Sequence, residues 1–127
     1  IIHPILKTKK NMWLRSMIRK RKKFVFFDIP LLLERQYHNK YDFVIVVSAD
    51  YNIQKKRALS RKGWNEKKFE SVLNKQLPDT MKRKKANLVI RTDRGKRYVF
   101  TLIKGFVKQD IEKIHRRPIS LILREYT

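Results

Sequence analysis

The chain has 127 residues, 42% of them hydrophobic, with no cysteine and a formal net charge of +22. Its length fits one domain with a core, and its apolar content excludes a disordered chain. The lack of cysteine excludes disulfides and thiolate metal sites and suits a reducing, cytoplasmic compartment. No apolar run approaches the about 20 residues that span a bilayer, and the start, IIHPILKTKK, is not typical of a secretory signal.

The high positive charge has three explanations at this stage. Clustered Lys and Arg supply most non-specific affinity for nucleic acids, and they also bind phosphorylated small molecules. A compositional bias towards Lys, Ile and Asn is the third. Because the basic residues are spread along the whole chain, the charge alone favours the compositional explanation.

The first elements are a helix and an apolar run. Residues 5 to 21 place apolar side chains at helical spacing between Lys and Arg, which predicts a basic amphipathic helix that covers a sheet. Phe24 to Phe27 are four consecutive apolar residues, typical of a strand buried on both faces of a parallel sheet. Pro30 cannot donate to a ladder, so the strand ends at Asp28. A carboxylate there lies where open α/β sheets bind ligands, although an Asp before Ile-Pro also commonly caps a turn.

The rest of the chain alternates strands with helices. Apolar runs at 43–47 and 88–90 predict two more buried strands. Helical patterns with capping or breaking residues lie at 51–62, 65–76, 79–85 and 96–109. This alternation predicts an α/β fold of three layers with a parallel sheet. Residues 110–127 show no clear period and are not placed.

Two arginines are the main candidates for phosphate binding. Arg57 and Arg61 are four residues apart, which predicts that they share one face of a helix. A forked donor face of this kind fits a polyphosphate, although a solvated helix face is the alternative. The basic segment 82–85 belongs to the same set of candidates. A glycine-rich phosphate loop is not present in the 127 residues, because the one Gly-Lys pair, Gly95-Lys96, is followed by Arg97 where Ser or Thr is needed.

Several short motifs stand in a definite order along the chain. The segment 28–34 reads DIPLLLE, and Gln54, Arg57 and Arg61 form a Q-x-x-R-x-x-x-R pattern. Weaker pieces are His3-Pro4, Tyr41-Asp42 with the following strand, Gln76, Ala86-Asn87 and Thr92. Together, over about residues 1–108, they resemble the C-terminal part of the dephospho-CoA kinase family. DIPLLLE is the most specific piece, with Leu33 where the family usually has Phe.

The resemblance implies a P-loop kinase core similar to that of nucleoside monophosphate kinases, in a partial domain of residues 1–109 with a helical lid at about 51–85. It implies transfer of the ATP γ-phosphoryl group to the ribose 3′-hydroxyl of dephospho-CoA, with Mg²⁺. Asp28 would lie near the acceptor and the metal, Thr92 beside the adenine, and Arg57 and Arg61 at the phosphates. The residues that would shape the dephospho-CoA pocket are Ile29, Pro30, Leu31, Leu32 and Glu34.

The chain departs from the family at its start. The family's P-loop and acidic catalytic base precede the position that matches Ile1, so we expect negligible turnover and marginal stability from this chain alone. A start at Ile1 instead of Met favours a processed chain or a piece of a longer one, with a missing N-terminal segment. The alternative hypothesis is a small basic nucleic-acid-binding protein with Trp13, Trp64 and Tyr98 as stacking surfaces. A remnant without activity is the third.

Overall fold

A computed structural model describes residues 4–22 and 24–114, with side chains through Gln109. The chain divides into two compact units, one with the described residues up to Pro30 and the other from Leu31 to Ile114. His3 and the tail after Ile114, which includes most of the unplaced segment, lie outside the described residues. The helices and strands are α1 (Pro4–Arg19), β1 (Ile45–Ser48), α2 (Tyr51–Leu59), α3 (Glu66–Asn74), α4 (Asp79–Lys84), β2 (Leu88–Arg91) and α5 (Lys96–Ile114).

The first unit is built on α1, the predicted amphipathic helix. Its first residue is Pro4, which suits the first helical turn because the N–H that proline lacks would have no partner there. Leu14 is buried. Trp13 packs edge-on against Phe27, with 5.5 Å between ring centroids, and the Lys10 ammonium lies 5.4 Å from the same ring. These contacts join the helix to the segment that follows it.

The predicted strand at Phe24 to Phe27 is wrong. Residues 24–29 have no helical or strand structure, and Phe26 is 66% exposed. A strand needs a neighbour to take its backbone hydrogen bonds, and within the described ranges the sheet consists of β1 and β2 alone. Within the apolar run, Phe27 packs against Trp13. Asp28 is an exposed residue of an irregular segment, not the end of a strand.

The second unit contains a two-stranded parallel sheet, as the alternation of elements predicted. Ile45 pairs with Leu88 and Ser48 with Arg91, so both strands run in register over four residues. Val44 and Asn87, the residues directly before the two strands, are joined by two hydrogen bonds. The Asn87 side-chain oxygen accepts the Val44 N–H at 2.8 Å, and the Asn87 backbone N–H donates to the Val44 carbonyl oxygen at 2.9 Å. The α/β class is confirmed.

The core of this unit forms around the segment after Pro30. Leu33, Val44 and Val46 are buried together, with Leu77 and Ala86 packed against them. The side chain at position 33 therefore belongs to the core. Phe43, shortly before β1, packs against Phe106 of α5, with ring centroids 4.7 Å apart.

The helices between the strands are shorter than predicted, and the last one is longer. Helix α2 ends at Leu59 instead of residue 62, and α3 ends at Asn74 instead of residue 76. Gly63 has a φ of 76° and turns the chain between them. Helix α5 continues to Ile114, five residues beyond the predicted end at Gln109. Val72 of α3 and Ile103 of α5 are exposed.

Candidate functional site

The carboxyl ends of β1 and β2 meet at one edge of the sheet, since the strands are parallel. Helix α2 begins there, directly after β1. Asp50 is its N-cap, and its side chain accepts the Asn52 N–H at 3.0 Å. A short 3₁₀ helix, Thr92–Arg94, follows β2 at the same edge. Open α/β sheets bind ligands at this edge, so the side chains gathered there are the candidate site.

Two residues predicted to serve the nucleotide, Arg57 and Thr92, are in direct contact. Arg57 Nη1–H donates to Thr92 Oγ1 at 2.8 Å, and Arg57 Nη2–H donates to the Thr92 carbonyl oxygen at 3.0 Å. The Thr92 hydroxyl also donates to the Ser48 carbonyl oxygen at 3.4 Å. The arginine of α2 is therefore connected to the ends of both strands.

Asp93, for which the sequence suggested no role, connects the same elements. Its carboxylate accepts the Asp50 N–H at 2.9 Å and two N–H groups of Arg91. The Arg91 guanidinium and the Asp50 N–H hold the pKa of the Asp93 carboxyl well below its usual range, against the opposing effect of burial. The signal that could have identified it is a carboxylate two residues after an arginine at the end of a predicted strand.

Arg57 and Arg61 do not form one helical face. Helix α2 ends at Leu59, so Arg61 lies in the turn after it, where its N–H donates to the Ala58 carbonyl oxygen at 3.0 Å. The Arg61 guanidinium lies 5.8 Å from the Trp64 ring centroid, and Lys68 Nζ lies 5.1 Å from the same ring. Because α2 ends at Leu59, the predicted forked donor face of the helix does not form.

Glu34, predicted to shape a substrate pocket, is engaged within the protein. Its Oε1 accepts the Leu77 N–H at 3.0 Å and pairs with Lys82 Nζ at 2.9 Å. Lys82 also donates to Gln76 at 2.8 Å. Burial raises the pKa of Glu34, but the hydrogen bonds from Lys82 and Leu77 outweigh it, and the pKa is lowered overall. Glu34, Gln76 and Lys82 together hold the junction between α3 and α4.

Other members of the predicted pocket differ in exposure. Asp28, Pro30 and Leu31 are exposed, whereas Ile29 is half-buried. Leu31 has a φ of 59°, in the left-handed region that a leucine rarely adopts. Leu32 is half-buried against the core. Asp28 to Pro30 lie in the first unit and the following residues in the second.

The start of α4 provides a further polar contact that the sequence did not indicate. Ser48 is only 2% exposed, and its hydroxyl donates to the Asp79 carboxylate at 2.7 Å. Arg83 of the predicted basic segment pairs with the same carboxylate at 3.2 Å. With Lys82 on Glu34, two of the four basic residues at 82–85 have acidic partners. This segment is therefore less available to an anion than its sequence suggested.

The described residues contain no group of three His, Cys, Asp or Glu side chains that could hold a metal ion. Nor is any of their helices both long and apolar enough to cross a membrane. The three aromatic rings considered for base stacking each have an intramolecular neighbour. These neighbours are Phe27 for Trp13, Arg61 and Lys68 for Trp64, and Arg94 for Tyr98.

Known proteins match this chain in sequence. A family model described as dephospho-CoA kinase matches residues 1–97. The dephospho-CoA kinase of Bartonella quintana (strain Toulouse) is 38% identical over 122 residues, which are 96% of this chain and 55% of that protein. The dephospho-CoA kinase of Zymomonas mobilis is 39% identical over 95 residues, or 75% of this chain and 47% of that protein. The chain spans about half the length of the curated relatives it matches.

Proposed function

This chain belongs to the dephospho-CoA kinase family, and we propose that it serves the transfer of the ATP γ-phosphoryl group to the ribose 3′-hydroxyl of dephospho-CoA. The observation that carries the proposal is the family match over residues 1–97, which includes the DIPLLLE segment and the two arginines. The α/β sheet with helices α2 to α4 after its first strand suits the P-loop NTPase fold of this family. The proposed setting is the cytoplasm, to which a chain without cysteine is suited.

The proposed acceptor side is the segment from Asp28 to Glu34. An exposed carboxylate at Asp28 is accessible to a hydroxyl group, and Pro30 and Leu31 offer exposed apolar surface to the pantetheine or ribose of dephospho-CoA. Ile29 and Leu32 are half-buried and would contribute through the shape of the segment. Glu34 would act in the same indirect way, since its carboxylate already holds Lys82.

The proposed nucleotide side is the sheet edge at Thr92, with the arginines of the lid. A triphosphate carries charge that shifts towards the leaving oxygen during transfer, and guanidinium groups stabilise that shift. Arg61 is exposed, and Arg57 is bound to Thr92 beside the carboxyl ends of both strands. These placements support a role for the lid in binding the phosphates.

ATP would bring Mg²⁺ with it. Mg²⁺ is usually held by one or two carboxylates together with phosphate oxygens and waters, not by an all-protein cage. Asp28 is the candidate carboxylate, and its exposure suits that use.

Turnover needs parts that the 127 residues do not contain. A glycine-rich loop that cradles the β- and γ-phosphates is not in the sequence, and positioning of those groups supplies most of the rate in phosphoryl transfer. We therefore propose that the chain binds dephospho-CoA and ATP and that CoA formation by the chain alone is negligible.

The test is calorimetric titration of the chain with dephospho-CoA and with ATP, together with an assay of CoA formation. Saturable binding at one site, weakened by Asp28→Ala for dephospho-CoA and by Arg61→Gln for ATP, supports the proposal. Lys56→Gln is the matched control, because it removes an exposed positive charge from the same helix as Arg57. Absence of binding for both ligands would refute the binding role, and CoA formation at the rate of a complete kinase would refute the expected inactivity.

A further inference from the structure

The two lid arginines differ in how their guanidinium groups are held. Arg57 gives two hydrogen bonds to one residue, Thr92, through Nη1 and Nη2. Because the guanidinium is planar and rigid, two such bonds fix both its position and its orientation. A phosphate oxygen could take over either of these N–H groups only by displacing its bond to Thr92.

Thr92, which accepts both hydrogen bonds from Arg57, is itself held in place. The Thr92 hydroxyl contacts the Ser48 carbonyl oxygen at the end of β1, and Thr92 directly follows β2. The next residue, Asp93, accepts the Asp50 N–H at the start of α2. Helix α2 is thus joined to the sheet edge at both its first and its second turn, by Asp93 and by Thr92.

Arg61 has no comparable attachment. Within the described part of the chain, its guanidinium makes no hydrogen bond or ion pair and lies over the exposed side of the turn at Trp64. A cation over an aromatic ring at a surface is held weakly, and its N–H donors stay available. Arg61 can therefore turn to an anion without breaking a hydrogen bond.

We propose that Arg57 is a positioning residue, which fastens α2 to the sheet through Thr92, and that Arg61 is the arginine that contacts the phosphates. That the anion is a phosphate of ATP rests on the proposed function. That Arg57 fastens α2 to the sheet rests on its hydrogen bonds to Thr92 alone. Arg57 acts on ATP through the placement of α2, and hence of the turn that carries Arg61. Thr92 and Asp93 share this positioning role.

The fastening is tested without a ligand, by ¹⁵N NMR of the arginine guanidinium groups in the full 127-residue chain. Hydrogen bonds at both Nη atoms hinder rotation and slow proton exchange, so we expect separate, slowly exchanging Nη signals for Arg57 and one averaged signal for Arg61. Thr92→Val keeps the carbonyl acceptor but removes Oγ1, and should average the Arg57 signals. Averaged Arg57 signals in the unchanged chain would overturn the fastening.

The division of roles is tested by ATP titration of single and double variants. We expect Thr92→Val and Arg57→Gln each to lower affinity by about threefold to fivefold, and the double variant no further than the larger single effect, since both act through one contact. Arg61→Gln should lower affinity by about tenfold or more, and Thr92→Val should add little to that loss, because Thr92 acts through the placement of Arg61. Lys56→Gln controls for the loss of one charge.

Two results would contradict the division of roles. If Thr92→Val has normal affinity while Arg57→Gln loses as much as Arg61→Gln, then Arg57 contacts the phosphate itself. If the unchanged chain does not bind ATP, the proposed function fails and the phosphate role of Arg61 fails with it. The guanidinium spectra then still decide whether Arg57 fastens α2.

Discussion

At the residue scale, Glu34 joins two parts of the second unit that are far apart in sequence. Its carboxylate binds the Leu77 N–H, 43 residues away, and the Lys82 ammonium. The Glu34 and Lys82 side chains are only 14% and 21% exposed. When one partner of such a pair is removed, the other charge remains buried without compensation, and this makes the pair costly to break.

We expect Glu34→Ala to lower the free energy of unfolding by about 2–3 kcal/mol, through the lost ion pair and the unpaired Leu77 N–H. The matched control is Glu66→Ala, which breaks the pair with Lys55 at 2.8 Å, where Glu66 is 71% exposed. An exposed pair contributes little to stability, so the loss for Glu66→Ala should be clearly smaller. Urea denaturation measures both, and equal losses would show that Glu34 does not hold the α3–α4 junction.

Asp93 makes the stability of the folded chain depend on pH. Its folded-state pKa is depressed by the Arg91 guanidinium and the Asp50 N–H. A depressed carboxyl pKa contributes stability that is fully present above the pKa of the unfolded chain, about 4 for Asp, and is lost as pH falls towards the folded-state pKa. The contribution of Asp93 should therefore disappear in the acid range and stay constant near neutrality.

Asp93→Asn should destabilise the chain at pH 7, and the difference between the two proteins should shrink steadily as the pH falls below about 4. Thermal melts of both proteins between pH 2 and pH 7 measure this. Asp28→Asn, at an exposed position, is the control for the removal of one carboxylate. A difference that does not depend on pH would mean that the charge on Asp93 is not what joins Arg91 and α2.

At the element scale, the residues at the N-terminus of α3 stabilise that helix. The Asn65 side chain accepts the Lys68 N–H at 2.8 Å, and Glu66 occupies the first turn. An acidic residue in the first turn and a capping side chain both stabilise the positive end of a helix. Phe69 is buried on the inner face and packs 5.7 Å from the Tyr51 ring of α2, while the Tyr51 hydroxyl donates to Glu70.

Asn65→Ala should cost about 1 kcal/mol of unfolding free energy, whereas Asn65→Asp should retain most of the cap. The control Asn74→Ala changes the same residue type at the exposed last position of α3, where a side-chain cap for an N-terminus cannot act. Urea denaturation, followed by helical circular dichroism, compares the three. If Asn65→Ala and Asn74→Ala have the same effect, the cap does not contribute to α3.

At the scale of the whole molecule, a charge of +22 on 127 residues produces repulsion throughout the folded chain. Several large apolar side chains are also exposed to solvent. Val47 of β1 is 65% exposed, and Phe26 and Phe100 are exposed as well. The net charge opposes association, and the exposed apolar side chains favour it once the repulsion is screened.

We expect added NaCl, between about 20 and 300 mM, to raise the thermal midpoint because it screens the repulsion between like charges. The control is a triple variant, Lys56→Gln, Lys67→Gln and Lys108→Gln, in which exposed charges are removed and a smaller salt effect is expected. A midpoint that falls with salt in the unchanged chain would mean that attractive ion pairs outweigh the net charge.

Much of the fold was predictable because it depends on local patterns. The strands at 45–48 and 88–91, the Asp50 and Asn65 caps and the order of α2 to α5 follow from apolar runs and capping residues. The family also followed from sequence, since the DIPLLLE segment and the two arginines are read from the residues alone. In the candidate site, the sequence predicted roles for Arg57 and Thr92 separately, and it did not predict their contact.

What the tertiary structure decided depends on partners that are distant in sequence. Phe24 to Phe27 have a strand-like composition but no neighbouring strand within the described residues to complete a ladder. Glu34 faces Lys82, and Arg57 faces Thr92, because the packing of the sheet brings them together. The amino-acid sequence by itself therefore determined the class, the caps and the family of this protein, because those are properties of neighbouring residues. Only the folded chain decided which charged groups are held and which stay available, because hydrogen bonds across 35 or more residues require the backbone to be in place first.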